Sequence, residues 1–99
     1  MEINVKAIHF VASQQLEDFI QKKVSKLNLF FEPILSIEAT LKVEKPEANQ
    51  NKSVSIKVKV PNSELFAEKT ADTFEEAIDD CCGALEKQLI KLKEKFRNK

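Results

Sequence analysis

The chain has 99 residues, a length that suits one folded domain with a single hydrophobic core. Its residues are 42% hydrophobic and 32% charged, with a formal net charge of zero, which is typical of a soluble globular protein, and one glycine with three prolines leaves little room for disordered linkers. It contains neither an apolar run of membrane-spanning length nor a signal-peptide pattern, so we expect no membrane partner. Its two cysteines are adjacent and cannot form an ordinary disulfide, which suits a reducing cytoplasm.

A strand and a helix open the chain. Residues 2–8 alternate between apolar and polar side chains, which predicts a strand with one buried face. Ser13 is placed to cap a helix over about residues 14–27. Its apolar stripe consists of Leu16, Phe19, Ile20, Val24 and Leu27. The helix ends in Lys22, Lys23 and Lys26, and Lys23 lies at the edge of the stripe, where it must snorkel or point into a cleft.

An aromatic connection and three strands follow. Phe30 and Phe31 favour packing at the edge of the core, although exposed rings could also stack on bases. Strict alternation predicts strands over residues 35–43 and 54–60, the first with Leu35 facing inward, and the polar residues 46–52 predict the loop between them. A turn at Pro61 and Asn62 leads to a last strand over residues 64–70, whose inward and outward positions the sequence leaves open.

The last segment, residues 73–99, predicts one long helix. Thr73 and Glu76 form a capping box, so the helix begins at Phe74. Its apolar stripe consists of Phe74, Ala77, Ile78, Cys81, Leu85, Leu89, Leu92 and Phe96. Acidic residues crowd its first turns and basic residues its end, which complements the helix dipole.

The order of these elements predicts an α+β fold, a βαβββα two-layer sandwich. A strand–helix–strand connection is normally a right-handed parallel crossover, and short turns make the later strands antiparallel. The result is a four-stranded mixed sheet with two parallel helices on its one apolar face. The basic ends of both helices then meet at one end of the molecule, and Lys22, Lys23 and Lys26 join Lys87, Lys91 and Lys95 in one patch.

The zero net charge hides an uneven distribution. Residues 87–99 carry six basic residues and one acid, whereas residues 1–86 carry ten basic and fifteen acidic residues. Such asymmetry orients a protein on a polyanion, basic end inward. A solvated face with good charge placement is the plainer interpretation of the same lysines.

Residues suited to catalysis or metal binding are scarce. His9 is the one histidine, and Cys81 and Cys82 are adjacent on the predicted helix, where they cannot form an ordinary disulfide or complete a zinc site within one chain. The one glycine, Gly83, lies inside the helix and not in a phosphate-binding loop. We therefore expect no enzyme activity, no metal, no cofactor and no small-molecule substrate.

Several segments together resemble the family of ribosome hibernation promoting factors, also called ribosome-associated translation inhibitors or sigma-54 modulation proteins. The carrying segments are residues 77–79, 85–89 and 91–93 in the last helix, Lys22-Lys23 and Lys26-Leu27 in the first, and residues 41–45. The resemblance covers the whole chain. It implies a fold similar to a double-stranded-RNA-binding domain.

By this resemblance the protein binds the small (30S) ribosomal subunit at the decoding region of 16S rRNA and blocks messenger and transfer RNA in idle ribosomes. The family's RNA-facing positions correspond to Lys22, Lys23, Lys26, Lys87, Gln88, Lys91, Lys93 and Lys95. The chain departs from the family at Ala7, Ile8 and His9, where a glycine often follows the first strand. Residues 1–99 are expected to be a short form, one ribosome-binding domain without a C-terminal dimerisation domain and monomeric off the ribosome.

Two other functions stay open at this point. The acidic residues of the first 86 positions also suit a protein-interaction module that holds a basic partner. A small-molecule enzyme that depends on His9 is the third hypothesis.

Overall fold

The computed structural model describes residues 2–44 and 50–97, without the side chains of residues 96 and 97. The elements are β1 (Glu2–Ile8), α1 (Gln14–Ser25), a short 3₁₀ helix (Lys26–Leu29), β2 (Ser36–Val43), β3 (Lys52–Val60), β4 (Ser63–Ala71) and α2 (Phe74–Arg97). This order confirms the predicted βαβββα arrangement.

The strands form one sheet in the order β1-β2-β3-β4. β1 and β2 are parallel, because α1 carries the chain back across the sheet, whereas β3 and β4 follow as antiparallel neighbours. The register places Ile3 opposite Ile37, Ile37 opposite Val58 and Val58 opposite Leu65. Apolar side chains therefore form continuous rows across one face of the mixed sheet, as the alternation predicts.

The two helices cover this face and bury its side chains. Ile20 and Val24 of α1 and Ile78, Leu85 and Leu89 of α2 are completely buried. The thiol of Cys81 is also fully buried, and its Sγ donates to the main-chain oxygen of Val54 at 3.3 Å. The core is thus a single layer of apolar side chains between sheet and helices, which confirms Cys81 as a core residue.

Both helices begin at the predicted caps. Ser13 Oγ accepts a hydrogen bond from the backbone N–H of Leu16 at 3.1 Å. Thr73 Oγ1 accepts one from the N–H of Glu76 at 3.1 Å, and α2 starts at Phe74. Each cap satisfies a backbone donor that has no partner inside its helix, which fixes where the helix starts.

The helices run parallel, as three contacts along them demonstrate. The rings of Phe10 and Phe74, just before α1 and at the start of α2, stack with centroids 4.7 Å apart. Further along, Lys23 reaches Asp79, and past the end of α1 Phe30 lines a cleft with Ile90. Increasing residue numbers in one helix thus meet increasing numbers in the other.

Some predicted boundaries and one orientation are wrong. α1 ends at Ser25, because the backbone tightens into the 3₁₀ helix before the predicted end at residue 27. Leu35 is 48% exposed instead of inward-facing, because β2 starts one residue later. β3 begins at Lys52, inside the predicted loop, whose residues 46–49 lie outside the described part of the chain.

The end of the last helix also falls partly outside the description. The predicted core position of the Phe96 side chain and the helical conformation of residues 98 and 99 are not among the described features. Among the residues that are described, no helix is long and apolar enough to cross a membrane.

Candidate nucleic-acid interface

The predicted lysines of α2 lie on its solvent-exposed surface. Lys87, Lys91, Lys93 and Lys95 are all exposed, whereas the neighbouring Leu85 and Leu89 are completely buried. Lys87, Lys91 and Lys95 follow one another at four-residue steps, about 6 Å apart along the helix axis. They form a row of cations on the outer surface of a rigid element.

The first lysine of this row, Lys87, borders the flank of α2 that faces β4. Lys87 shares a concavity of about 500 Å³ with Lys69 of β4 and with Asp80 and Ala84 of α2. On the same flank, Gln88 donates from Nε2 to the main-chain oxygen of Phe66 in β4 at 3.1 Å. Gln88 therefore ties the helix to the sheet edge, and its amide already has a partner within the chain.

Lys69 also belongs to this flank, although it is not among the residues predicted from the sequence. In β4 the core-facing positions include Leu65, Ala67 and Ala71, so Lys69 falls on the helix side of the sheet. Strand alternation carries this signal, but the register of the last strand stayed open because Leu65 and Phe66 are adjacent apolar residues. Once the pairing with β3 sets the register, Lys69 lies beside Lys87.

Lys23 of α1 is an inter-helix group. Its Nζ lies 2.7 Å from Asp79 Oδ1 and 5.6 Å from the centre of the Phe19 ring. The hydrogen bond and the negative charge of Asp79 raise the pKa of Lys23 above its ordinary value. The side chain is one-third exposed and lines a cleft of about 410 Å³ between the helices, which confirms the predicted cleft position.

Lys22 in the last turn of α1 and Lys26 at the start of the 3₁₀ helix are both exposed. Lys26 lines the same inter-helix cleft as Lys23, together with Glu86 of α2. Lys93 lines a second, smaller cleft on this side, with Leu29 and Phe30. The flank of α2 that faces α1 thus has its own set of cations.

The concavities place some of the lysines on opposite flanks of α2, and their meeting in one patch stays a prediction. One group borders the β4 flank (Lys69 and Lys87), and the other borders the α1 flank (Lys23, Lys26 and Lys93). Asp79 and Gly83 border the concavities on both flanks, so they mark the crest between them. A partner that touches both groups must straddle α2.

The two aromatic residues after α1 have different environments. Phe31 is buried, which confirms the packing interpretation for that ring. Phe30 is only partly buried and lines the clefts beside α2.

The described residues offer little for covalent or metal chemistry. They contain no group of three or more His, Cys, Asp or Glu side chains placed to hold a metal ion. Burial raises the pKa of the Cys81 thiol to about 12 and that of the Cys82 thiol to about 11, so both are protonated at neutral pH. A protonated thiol is neither a good nucleophile nor a good metal ligand.

The fold and its long second helix define a small α+β domain that presents exposed lysines on that helix. Its family follows from sequence comparison. The profile of the family described as "Sigma 54 modulation protein / S30EA ribosomal protein" matches residues 3–97, and the chain belongs to that family. The family comprises ribosome hibernation factors and ribosomal subunit interface proteins, which are not enzymes.

Relatives of known name agree with this membership. The ribosome hibernation promoting factor of Pseudomonas putida is 28% identical over 95 residues, which cover 96% of this chain and 89% of that protein. The protein of the same name from Escherichia coli is 26% identical over 97 residues, covering 98% of both chains.

Two solved structures share the fold. A ribosomal subunit interface protein from Coxiella burnetii has a TM-score of 0.81 and 26% identity, covering 95% of this chain and 99% of that one. The N-terminal domain of Protein Y from Thermus thermophilus has the same TM-score at 20% identity, covering 93% of this chain and 99% of its own. The second likeness concerns the fold alone.

Proposed function

We propose that this protein binds the small (30S) ribosomal subunit at the decoding region of 16S rRNA and inhibits translation by occupying the messenger and transfer RNA sites of idle ribosomes. It acts by occupancy, without turnover, as one cytoplasmic ribosome-binding domain over residues 1–99. The row of exposed lysines on the second half of α2 carries this proposal, in a family of ribosome hibernation factors.

The physical basis is the exchange of counterions for lysines. A folded RNA holds a layer of condensed cations, and each lysine that reaches a phosphate releases some of them, which favours binding. Because Lys87, Lys91 and Lys95 sit on a rigid helix, they lose little conformational freedom of the backbone when they meet a phosphate strand. The acidic residues of the first turns of α2 repel RNA and so help to orient the domain.

The residues proposed to bind RNA differ in whether they already have a partner within the chain. Lys22, Lys26, Lys87, Lys91, Lys93 and Lys95 are exposed and are proposed to contact phosphates directly. Lys23 and Gln88 are bound to Asp79 and Phe66 within the chain, so we propose that they position the two flanks and contribute to RNA binding through that placement.

Co-sedimentation with purified 30S subunits tests this function. We expect the protein to pellet with 30S at moderate salt and to be displaced by transfer RNA bound at the decoding region. Absence from the pellet, or binding that transfer RNA does not affect, contradicts the proposed site.

The same assay predicts a steep salt dependence. The logarithm of the affinity is expected to fall linearly with the logarithm of salt concentration, with a slope of roughly −0.7 to −0.9 per contacted phosphate. With the six exposed lysines in contact, affinity should drop by orders of magnitude across a moderate salt range. A flat affinity contradicts phosphate contacts as the main source of binding.

A further inference from the structure

An apolar cleft opens between the 3₁₀ helix and α2, within the α1 flank. Leu29 is 78% exposed and Ile90 is 40% exposed, so both are large apolar side chains open to water. Together with the partly buried Phe30 they line a cleft of about 200 Å³. Apolar side chains that gather in one exposed cleft are typical of a binding groove, whereas scattered ones are not.

The size and charge of the cleft limit its occupant. Its volume is below the roughly 300 to 1,000 Å³ of pockets for drug-sized ligands, so it has room for a single small ring system. Lys93 lines one side, and Lys26 lines the adjoining larger cleft that shares Leu29 and Phe30. An apolar slot with an aromatic wall, one lysine in its lining and another in the adjoining cleft suits a base with its neighbouring phosphates.

The acidic residue of the cleft adds a preference. Glu94 lines the slot beside Lys93, and its carboxylate can only accept hydrogen bonds when ionised. A carboxylate repels phosphate but accepts from the exocyclic amino group of a base, as it does from cytosine. The slot therefore favours a base that carries an amino group over uracil.

From these contacts we infer that the Leu29–Phe30–Ile90 cleft holds one unpaired, amino-bearing RNA base, stacked against Phe30, with the flanking phosphates near Lys26 and Lys93. The inference rests on the proposed function, because it names a contact to the ribosomal RNA of the same complex. It assigns Phe30 a role in binding that the exposed lysines do not provide.

Fluorescence gives a direct test, because the chain contains no tryptophan and no tyrosine. A Phe30→Trp protein has one indole, which a stacked base should quench when 30S subunits are added. The matched control is Phe66→Trp, since Phe66 is 54% exposed on the opposite face of the sheet and should keep its emission. Equal emission changes in the two proteins would overturn the inference.

Two further experiments identify what occupies the cleft. Phe30→Leu keeps an apolar side chain without a ring, so 30S affinity should fall on the order of 10-fold, whereas Phe66→Leu should leave it unchanged.

A photo-crosslinking amino acid at Leu29 should attach to an adenine, cytosine or guanine of the RNA. A crosslink to a ribosomal protein, or no crosslink in a complex that still forms, would overturn the inference while leaving the proposed function intact. If the unmodified chain does not bind 30S, that result would instead contradict the proposed function and, with it, this contact.

Discussion

The two halves of α2 differ in how deeply their side chains are buried and in the charge that they carry. In the first half, residues 74–85, five side chains are buried: Phe74, Ala77, Ile78, Cys81 and Leu85. In the described side chains of the second half, residues 86–97, only Leu89 is fully buried. The first half is acidic and holds Lys23 of α1, whereas the second half presents exposed lysines.

This difference teaches how one helix can serve both fold and function. The first half has the apolar contacts that anchor it to sheet and α1, so changes there act on stability. The second half keeps a narrow apolar contact through Leu89 and the partly buried Leu92, and its exposed lysines lie outside that contact. Mutations that separate stability from binding test this division.

The largest expected effect on stability is in the first half. Ile78 is completely buried, so Ile78→Ala should cost about 2 to 5 kcal/mol through lost transfer energy and a cavity. Chemical denaturation measures the loss. A replacement of the exposed Ile90 by Ala is the control and should cost far less, so equal losses would contradict the contrast between the halves.

Alkaline pH should lower the stability of the folded protein through a residue of the same half, Cys81. Burial raises the pKa of the Cys81 thiol from 9.0 to about 12, so between these values the unfolded chain ionises while the folded chain holds its proton. The folded state then binds more protons, and stability must fall as pH rises above about 9, by about 1.4 kcal/mol per pH unit for one thiol.

Denaturation at pH 8 and pH 11 measures this slope. The Cys81→Ser protein keeps a donor toward Val54 but has no group that ionises near pH 9, so its stability should fall less over the same interval. The same slope in both proteins would show that the Cys81 thiol is not the group responsible.

A smaller effect of opposite sign is expected at the boundary of the halves. Gly83 lies inside α2, and a Cβ added there would meet nothing within 4 Å. Gly83→Ala should therefore stabilise the protein by about 1 kcal/mol, because alanine has the higher helix propensity. Thermal unfolding measures the gain, and a loss of stability would mean that the crest between the two flanks needs the glycine.

Most of the fold follows from local patterns in the sequence. Alternation in β1, β2 and β3 and the caps at Ser13 and Thr73 depend on neighbours within a few residues, so sequence reasoning finds them. Leu35 was placed wrongly because alternation alone does not say at which residue pairing begins. Its backbone N–H bonds to the oxygen of Lys59, while its side chain lies half in water.

The candidate site was harder to predict, because it depends on how elements pack side by side. The periodicity of α2 places Lys91 and Lys95 away from the core, but it does not say which neighbour lies on which flank. The ion pair between Lys23 and Asp79 and the hydrogen bond from Gln88 to Phe66 join residues far apart in sequence. Local patterns in the sequence carry no sign of these two contacts.

Reversing the charge of Lys91 and Lys95 tests most directly whether the second half of α2 is the binding surface. The Lys91→Glu, Lys95→Glu protein loses no core packing, and its exposed acids near the helix end should cost only about 0.3 to 1 kcal/mol each. Lys6→Glu, Lys59→Glu makes the same change in net charge at exposed positions on the opposite face of the sheet. Both proteins should stay folded, and only the first should lose co-sedimentation with 30S. Binding of the first protein to 30S as tight as that of the unmodified chain would contradict this prediction.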